Sequence, residues 1–316
     1  MKKKIIARIS NGLGNQMFLY AASFVLAKKI DYNLFLDVQS GIDHDIKRNK
    51  DKTFKHYKPK YELGIFNLSA NILKPYSILF SKLNYIKRKI NIFFDKFREK
   101  KKLIIEKKNF ENKNFFNYID TNKISSDIIH IEGYFECEKY FNDFRSEILK
   151  EFSFNKKINC NQKYFNDINN SNSISLAIRR NRFTEKYEDD KSVDKFNKTK
   201  KFEDEQFNYI IKSIDYFKKK TNNPKFFLFS DNFENLDNRF LHLENIVLVK
   251  DFISNKVLED FYLMHKCKHF VIAPTTFHWW AAWLNNNNNK ICLRPSNDFL
   301  NPSNNVDFWP DSWVKI

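Results

Sequence analysis

Apolar runs, turns and longer amphipathic segments alternate in both halves of this chain, which predicts an α/β protein of two doubly wound units with parallel sheets. Three observations support that class. The chain opens on strand, glycine turn, buried helix and second strand in direct succession, and its second half carries eight further strand and helix segments. At 316 residues, 42% hydrophobic and 17% aromatic beside 29% charged, it has the length and apolar content for two ordinary domains without disulfide or metal staples. Only 5 Gly and 7 Pro exclude collagen-like and low-complexity architectures.

Residues 5–9 form the first apolar run. Ser10-Asn11-Gly12-Leu13-Gly14-Asn15 follows, then an apolar stretch from Met17 to Leu26 closed by Lys28 and Lys29, cations suited to a helix C-terminus. Residues 33–37 read as a second strand ending on a carboxylate, and strand, helix, strand in this order argues for a parallel sheet. Residues 74–108 carry 12 Lys/Arg against 3 Asp/Glu among Ile, Leu, Phe and Tyr, the pattern of one or two basic amphipathic helices. In the second half strands are expected at 173–178, 225–229, 246–249, 269–273 and 290–293, and helices at 203–220, 257–265 and 276–285. The polar, charge-mixed residues 181–205 read as a long insertion, a candidate mobile loop over a site. The asparagine run 285–289 reads as an extended turn without chemistry. The domain division expected from these segments is 1–160 and 161–316.

Formal charge is +17, from 55 Lys/Arg and 38 Asp/Glu. Over half of it sits in 74–108, whereas residues 174–316 hold 22 basic and 19 acidic groups, so nucleic acid is not an expected partner. The basic segment reads as a solvated helix face or as a surface for anionic membrane. Cys137, Cys160, Cys267 and Cys292 make no Cys-x-x-Cys pair and read as buried thiols of a reducing compartment. No stretch reaches the roughly 18 apolar residues of a spanning helix, and Met1-Lys2-Lys3-Lys4 is not followed by a secretory apolar run. The expected location is cytoplasmic, with peripheral attachment at the inner face of the membrane.

Candidate site groups gather where strands end. Gly12 and Gly14 stand between strand and helix, where the backbone either needs positive φ or lets a ligand approach closely. Gln16-Met17 occupies the place of the last glycine of a dinucleotide fingerprint, which disfavours a nicotinamide enzyme. Arg179-Arg180 ends an apolar strand at the carboxyl edge where open α/β sheets bind ligands. Two guanidiniums there can grip a diphosphate and offset charge on a leaving phosphate, or can form an ordinary surface ion pair. Ser230-Asp231 puts a carboxylate at the same edge, either for a base or ribose or to cap the next helix. Thr275 and Thr276 open a helix whose start favours a phosphate, while Phe277, Trp280, Ala281 and Leu284 at i, i+3, i+4, i+7 are core-facing.

Five ordered segments together resemble the bacterial α-1,2-fucosyltransferases, glycosyltransferase family eleven. They are Gly12-Leu13-Gly14-Asn15-Gln16-Met17-Phe18-Leu19-Tyr20-Ala21, Glu132-Gly133-Tyr134-Phe135-Glu136-Cys137-Glu138-Lys139-Tyr140-Phe141, Arg179-Arg180, Phe229-Ser230-Asp231, and Cys267 through Thr276-Phe277-His278-Trp279-Trp280 to Asn285. The resemblance implies a GT-B fold of two facing Rossmann-like domains, the N-terminal one on the acceptor side and the C-terminal one holding GDP-fucose. It implies inverting transfer of fucose to a galactose-containing glycan in α-1,2 linkage, in surface polysaccharide or lipopolysaccharide synthesis, with no metal or other cofactor. Asn11, Gly12, Gly14, Asn15, Arg179, Arg180, Ser230, Asp231, Thr275, Thr276 and Phe277 are then expected around the donor, with Arg179 stabilising the leaving GDP.

Absence of a metal fits the acidic pairs present, since Asp43-His44-Asp45 is expected in a polar loop and Asp189-Asp190 in the insertion. Asp37 and Glu136 are the candidate bases for the acceptor proton, with a loose, weakly assisted path as the alternative. The chain departs from the family at Ala177, where His is usual, and at Asn181-Arg182, where Gly-Asp is usual. Ala273-Pro274-Thr275 replaces a small polar loop. Two other readings therefore stand: a same-fold transferase with another nucleotide-sugar donor, and a catalytically inactive nucleotide- or anion-binding protein.

Overall fold

A computed structural model describes residues 3–48, 58–73, 90, 93–94, 97, 102–106, 119–124, 126–180, 193–234, 236–296 and 307–316. The chain forms two compact units. The first takes in residues 3–48, the described residues from Lys58 to Asn155, and Asp307 and Phe308; the second runs from Lys156 and closes with Trp309–Ile316.

In the first unit the elements are β1 (Lys4–Arg8), α1 (Leu13–Lys29), β2 (Asn33–Asp37), α2 (Ser40–Arg48), β3 (Asn71–Ile72), β4 (Leu103–Ile105), β5 (Ile128–Glu132) and α3 (Arg145–Glu151). The sheet order is β3-β2-β1-β5-β4 with every pair parallel. Ile5 sits opposite Leu34 and Ile129, so the apolar alternation of three strands meets in register. Helix α1 is buried along nearly its whole length, as its almost uninterrupted apolar sequence requires, and Lys28 and Lys29 complement its last turn. The Tyr20 hydroxyl donates to Glu151 of α3, which also accepts from the Ser69 amide at 2.7 Å.

Asp43-His44-Asp45 belongs to α2 and not to a loop, which corrects the expectation. The Asp37 carboxylate accepts from the amides of Gln39 (3.1 Å) and Ser40 (2.9 Å) and so starts that helix. Gly41 makes its approach possible, because a Cβ there would stand 2.1 Å from the Ile9 carbonyl oxygen.

The second unit contains α4 (Gln162–Asn170), β6 (Asn172–Ile178), α5 (Val193–Lys220), β7 (Pro224–Ser230), α6 (Asn238–Leu241), β8 (Ile246–Leu248), α7 (Lys256–Lys266), β9 (His269–Val271), α8 (Thr276–Leu284), β10 (Cys292–Arg294) and β11 (Val314–Lys315). Its sheet, β11-β10-β9-β6-β7-β8, is also wholly parallel. Ile174, Leu176 and Ile178 pack with Phe202, Tyr209, Ile210, Ile214 and Phe217 of α5 in one apolar cluster. By strand alternation Ser175, Ala177, Phe227 and Phe229 face the other way, and all are buried. Trp279 and Trp283 of α8 stack at 5.9 Å, and Trp279 lies 5.5 Å from Trp313.

Two expectations change here. Residues 193–205 are the first turns of α5 and not loop, since their mixed charges suit an exposed helix and an Asp194–Lys198 pair at 2.7 Å spans one turn. The strand expected from 290 begins at Cys292, because the Lys290 ammonium instead donates to the carbonyls of Ala282 (2.8 Å) and Asn285 (2.6 Å) at the end of α8. The asparagine run is more than a turn. Its first residue, Asn285, donates to the carbonyls of His265 (2.7 Å) and Cys267 (3.0 Å), joining the ends of α7 and α8. All four cysteines are free and buried, as expected.

Most of 74–108 lies outside the described residues, as do Asn181, Arg182, Asp189 and Asp190. Among the described residues no helix is long and apolar enough to cross a membrane.

Candidate functional site

The carboxyl edge of the second sheet collects the groups expected there. Strand β6 ends where Gln206 of α5, fully buried, takes over the hydrogen bonding of the next residue: its Oε1 accepts from the Arg179 amide (2.8 Å) and its Nε2 donates to the Arg179 carbonyl (3.2 Å). One turn on, the buried Tyr209 hydroxyl donates to the Leu293 carbonyl (2.7 Å) and accepts from the Ile272 amide (3.2 Å). A single helix thus fixes the ends of β6, β9 and β10.

The two arginines differ. Arg180 has a side chain only 12% exposed, with Nε on Glu203 (3.1 Å) and Nη1 on the Glu234 carbonyl (3.0 Å), and its amide donates to Asp231 (2.9 Å). These contacts make it a structural tie between α5 and the loop after β7. Arg179 is 32% exposed and meets Asp231 through Nε at 3.4 Å. A part-exposed pair of this kind is worth about 1 kcal/mol or less, whereas a charge-assisted contact to phosphate is worth about 1.5–3 kcal/mol.

Ser230 is buried and its hydroxyl donates to the Asn232 carbonyl (2.7 Å), while Asp231 also accepts from the Asn232 amide (3.1 Å). Both therefore shape the turn after β7. Thr275 caps α8, its Oγ1 accepting from the His278 amide at 3.3 Å, so the positive end of that helix opens at the same edge, with Thr276 as its first residue. The Phe277 ring is wedged edge-on against Phe261, 5.2 Å away.

Three groups at this edge escaped the sequence reading. Lys256, first residue of α7, donates to the Ser230 carbonyl at 2.7 Å and pairs with Asp260 one turn on. Burial pushes the Asp260 carboxyl up to about 7 against the pull of Lys256, and its Oδ1 has no partner among the described residues. Burial, helped by Arg179 and Lys256, pushes the His278 imidazole down to about 3. Their signals were present: Lys256 and Asp260 have i, i+4 spacing, and His278 is the polar residue in the first turn of an otherwise apolar helix.

The remaining candidates lie in the first unit. The Asn11 amide donates to Asp45 (2.9 Å), the Leu13 amide to Glu62 (2.8 Å), and the Gln16 side-chain amide to the carbonyls of Asn11 and Lys60 (2.7 Å each). The chain's own carboxylates thus occupy amides at the start of α1. Positive φ falls on Asn11 (61°), whereas Gly12 has φ −84° and Gly14 is helical, so neither glycine is there to supply positive φ. Asn15 is in the first turn of α1. Asp37 has both oxygens engaged, the second accepting from the Ser40 hydroxyl, and Ser40 in turn accepts from Arg8 Nε at 3.1 Å. Glu136 is buried after Phe135, whose φ is 51°, and its charge acts on Glu106. Among the described residues no group of three or more His, Cys, Asp or Glu is placed to hold a metal ion.

Asp260 supplies a pH test. Its folded pKa, about 7, lies above the ordinary 3.8, so its stabilising contribution is complete below 3.8 and is lost as pH rises through 7. The depressed His278 and His265 act in the opposite sense, and the difference between wild type and Asp260→Asn isolates the carboxyl. Between pH 6 and 8 the Asn variant should gain about 1 kcal/mol on wild type, or about 2–4 °C in melting temperature. A difference constant with pH would show that Asp260 titrates normally.

The sequence matches Glycosyl transferase family 11 over residues 5–315. It is similar to an alpha-1,2-colitosyltransferase of Escherichia coli, 30% identical over 325 residues, covering 99% of this chain and 98% of that protein. It is also similar to the O-antigen biosynthesis glycosyltransferase WbnK of Escherichia coli, 27% identical, covering 98% of this chain and 99% of that one. Among solved structures, a FUT1 mutant of Arabidopsis thaliana in complex with GDP matches with TM-score 0.51 at 13% identity, covering 99% of this chain and 76% of that chain. That likeness agrees with two parallel-sheet α/β units as the GT-B class of fold. A glycosyltransferase motif order, its fold and a match across almost the whole sequence lead to one statement: the chain belongs to glycosyl transferase family 11.

Proposed function

We propose that the protein transfers fucose from GDP-fucose to a galactose-containing glycan, in α-1,2 linkage with inversion, during assembly of an O-antigen type of surface polysaccharide. The observation that carries this reading is the sheet edge where Arg179, Lys256 and the start of α8 come together, a cationic corner suited to a nucleoside diphosphate. Colitose from its GDP-linked donor is the second reading, favoured by the 30% identical colitosyltransferase.

In this mechanism the acceptor hydroxyl attacks the anomeric carbon as the bond to GDP breaks. Negative charge grows on the departing phosphate, and Arg179 meets it without a divalent cation. Arg180 holds Glu203 and Glu234 and keeps the edge in shape. The acceptor proton needs a carboxylate on the opposite face. Asp37, which accepts three hydrogen bonds at the start of α2, and Glu136 are the two bases to test.

A screen of GDP-fucose, GDP-colitose and other nucleotide sugars against galactose-terminated acceptors, read by mass spectrometry, tests the assignment. Transfer from GDP-fucose that persists in excess chelator is expected. Preference for GDP-colitose selects the second reading, loss in chelator with rescue by manganese or magnesium rejects the metal-free path, and GDP binding without any transfer selects an inactive binding protein.

Arg179→Ala should abolish transfer and weaken GDP binding by about 1.5–3 kcal/mol with little change in melting temperature. Arg180→Ala should mainly lower the melting temperature. Near wild-type turnover in Arg179→Ala would remove the phosphate assignment.

The basic segment suggests where the enzyme works. Ile90, Phe93 and Phe94 lie in helical backbone and Phe97 in a turn, spaced i, i+3, i+4, i+7, and all four are 48–76% exposed. An exposed aromatic stripe within a segment of net charge +9 fits an anionic membrane surface. Vesicles containing anionic lipid should bind the protein at low salt and release it as salt rises. Replacing Lys87, Arg88, Lys89, Lys100, Lys101 and Lys102 with Gln should reduce that binding without changing turnover on a soluble acceptor. Equal binding to neutral vesicles would refute the electrostatic part.

A further inference from the structure

Arg294, the last residue of β10, carries a guanidinium that the mechanism above does not use. The residue is half-buried and its side chain makes no hydrogen bond or ion pair among the described residues. Its Nε is sealed from water without a partner, whereas Nη1 and Nη2, equally unpartnered, keep surface open to solvent. Asp311 acts on the group by charge and forms no ion pair with it.

A structural role does not account for this side chain. Arg180 shows what a structural arginine does in the same sheet, with Nε on Glu203 and Nη1 on the Glu234 carbonyl. Arg294 has neither kind of tie. Taking a guanidinium partly out of water without a counter-charge is costly, and an uncharged side chain would end the strand without that penalty. The group stays charged, and its planar fork matches the oxygens of a phosphate.

Strand register puts Arg294 beside the donor edge. Leu293 pairs with Val271 and Val271 with Leu176, so Arg294 stands level with Ala177, two strands away from β6. Leu293, Val271 and Leu176 belong to the apolar cluster on the α5 side, and by alternation Arg294 faces the other side. Arg179 faces that side too, because Arg180 after it turns to Glu203 of α5. The connections β6 to β7 and β9 to β10 run in opposite directions across the sheet, so right-handed crossovers put α8 on the face away from α5. Helix α8 follows β9, the strand between β6 and β10, and its start at Thr275 and Thr276 is flanked by Arg179 on one side and Arg294 on the other. Two strand spacings across and two residues along separate the two Cα atoms by about 12 Å, a gap that two long side chains close with a diphosphate between them.

We propose that Arg294 is a second donor-binding arginine, whose Nη1 and Nη2 give hydrogen bonds to phosphate oxygens of the nucleoside diphosphate from the side of α8 opposite Arg179. This inference rests on the diphosphate reading of the edge and extends it across β9 to β10. Held between guanidiniums from two strands, the diphosphate has its direction along the edge fixed as well as its place.

The test uses GDP, inorganic pyrophosphate and the full chain. The Arg294 Nε–H, shielded from water, is open to 15N NMR; its resonance, assigned by its loss in Arg294→Lys, should shift on saturation with either ligand. Arg294→Gln should weaken binding of both by about 10- to 100-fold, with an unliganded melting temperature equal to or above that of wild type. Arg294→Lys, which keeps the charge and loses the fork, should fall between the two. A wild type that binds GDP, loses it on Arg179→Ala and shows no movement of the Arg294 resonance overturns the inference while sparing the diphosphate reading. So does an Arg294→Gln variant that binds GDP as wild type does, whatever its melting temperature. If that variant fails to fold, the Lys variant and the wild-type resonance decide. A wild type that binds neither GDP nor pyrophosphate overturns the reading of the edge and this inference together.

Discussion

Every strand pair in both sheets is parallel, and that single constraint determines where chemistry can gather. Parallel strands release their chains at one edge, so side chains that follow different strands, far apart in sequence, arrive side by side. In the second unit Arg179 follows β6, Asp231 follows β7, Lys256 opens the helix after β8, and Thr275 caps the helix after β9. An antiparallel meander of the same residues would scatter them over two edges. The apolar faces that enforce the arrangement are ordinary core: Ile174, Leu176 and Ile178 on one side of β6, Ser175 and Ala177 on the other.

The edge is cationic, yet its charges are graded. Arg180 ties α5 to the loop after β7, Arg179 meets a part-exposed carboxylate, and Lys256 is shared between a backbone carbonyl and Asp260. Asp260 and His278 are both shifted by burial toward their neutral forms. Burial thus lowers the charge that these two groups carry while leaving their hydrogen-bonding atoms in place.

Much of this is legible in the sequence, for reasons that differ along the chain. Strands β6 and β7 and helices α7 and α8 announce themselves because apolar periodicity and caps agree, and the order of the motifs points to the family by itself. Residues 193–205 mislead because an exposed helix of mixed charge has the composition of a loop. The glycines are legible only in part. Gly12 and Gly14 draw attention by their rarity, but positive φ in that turn falls on Asn11, and a close backbone approach is made at Gly41, which no local pattern reveals. Ala177, marked as a departure, is buried and adds nothing polar, whereas the imidazole at the edge is His278, one strand away. Partnerships across the fold, such as Gln206 with Arg179 or Lys290 with the end of α8, are set by tertiary packing and have no signature in spacing.

The Gln206 carboxamide has a consequence for how this enzyme can change. Arg179 is positioned by a side chain carried on α5, and Tyr209 on the same helix secures two more strand ends. Rotating that helix by a few degrees, through a substitution on its buried face such as at Phe202 or Ile210, would re-aim a guanidinium that the substituted residue never touches. What the edge recognises can then drift through the hydrophobic interior, with each polar group of the edge left chemically intact.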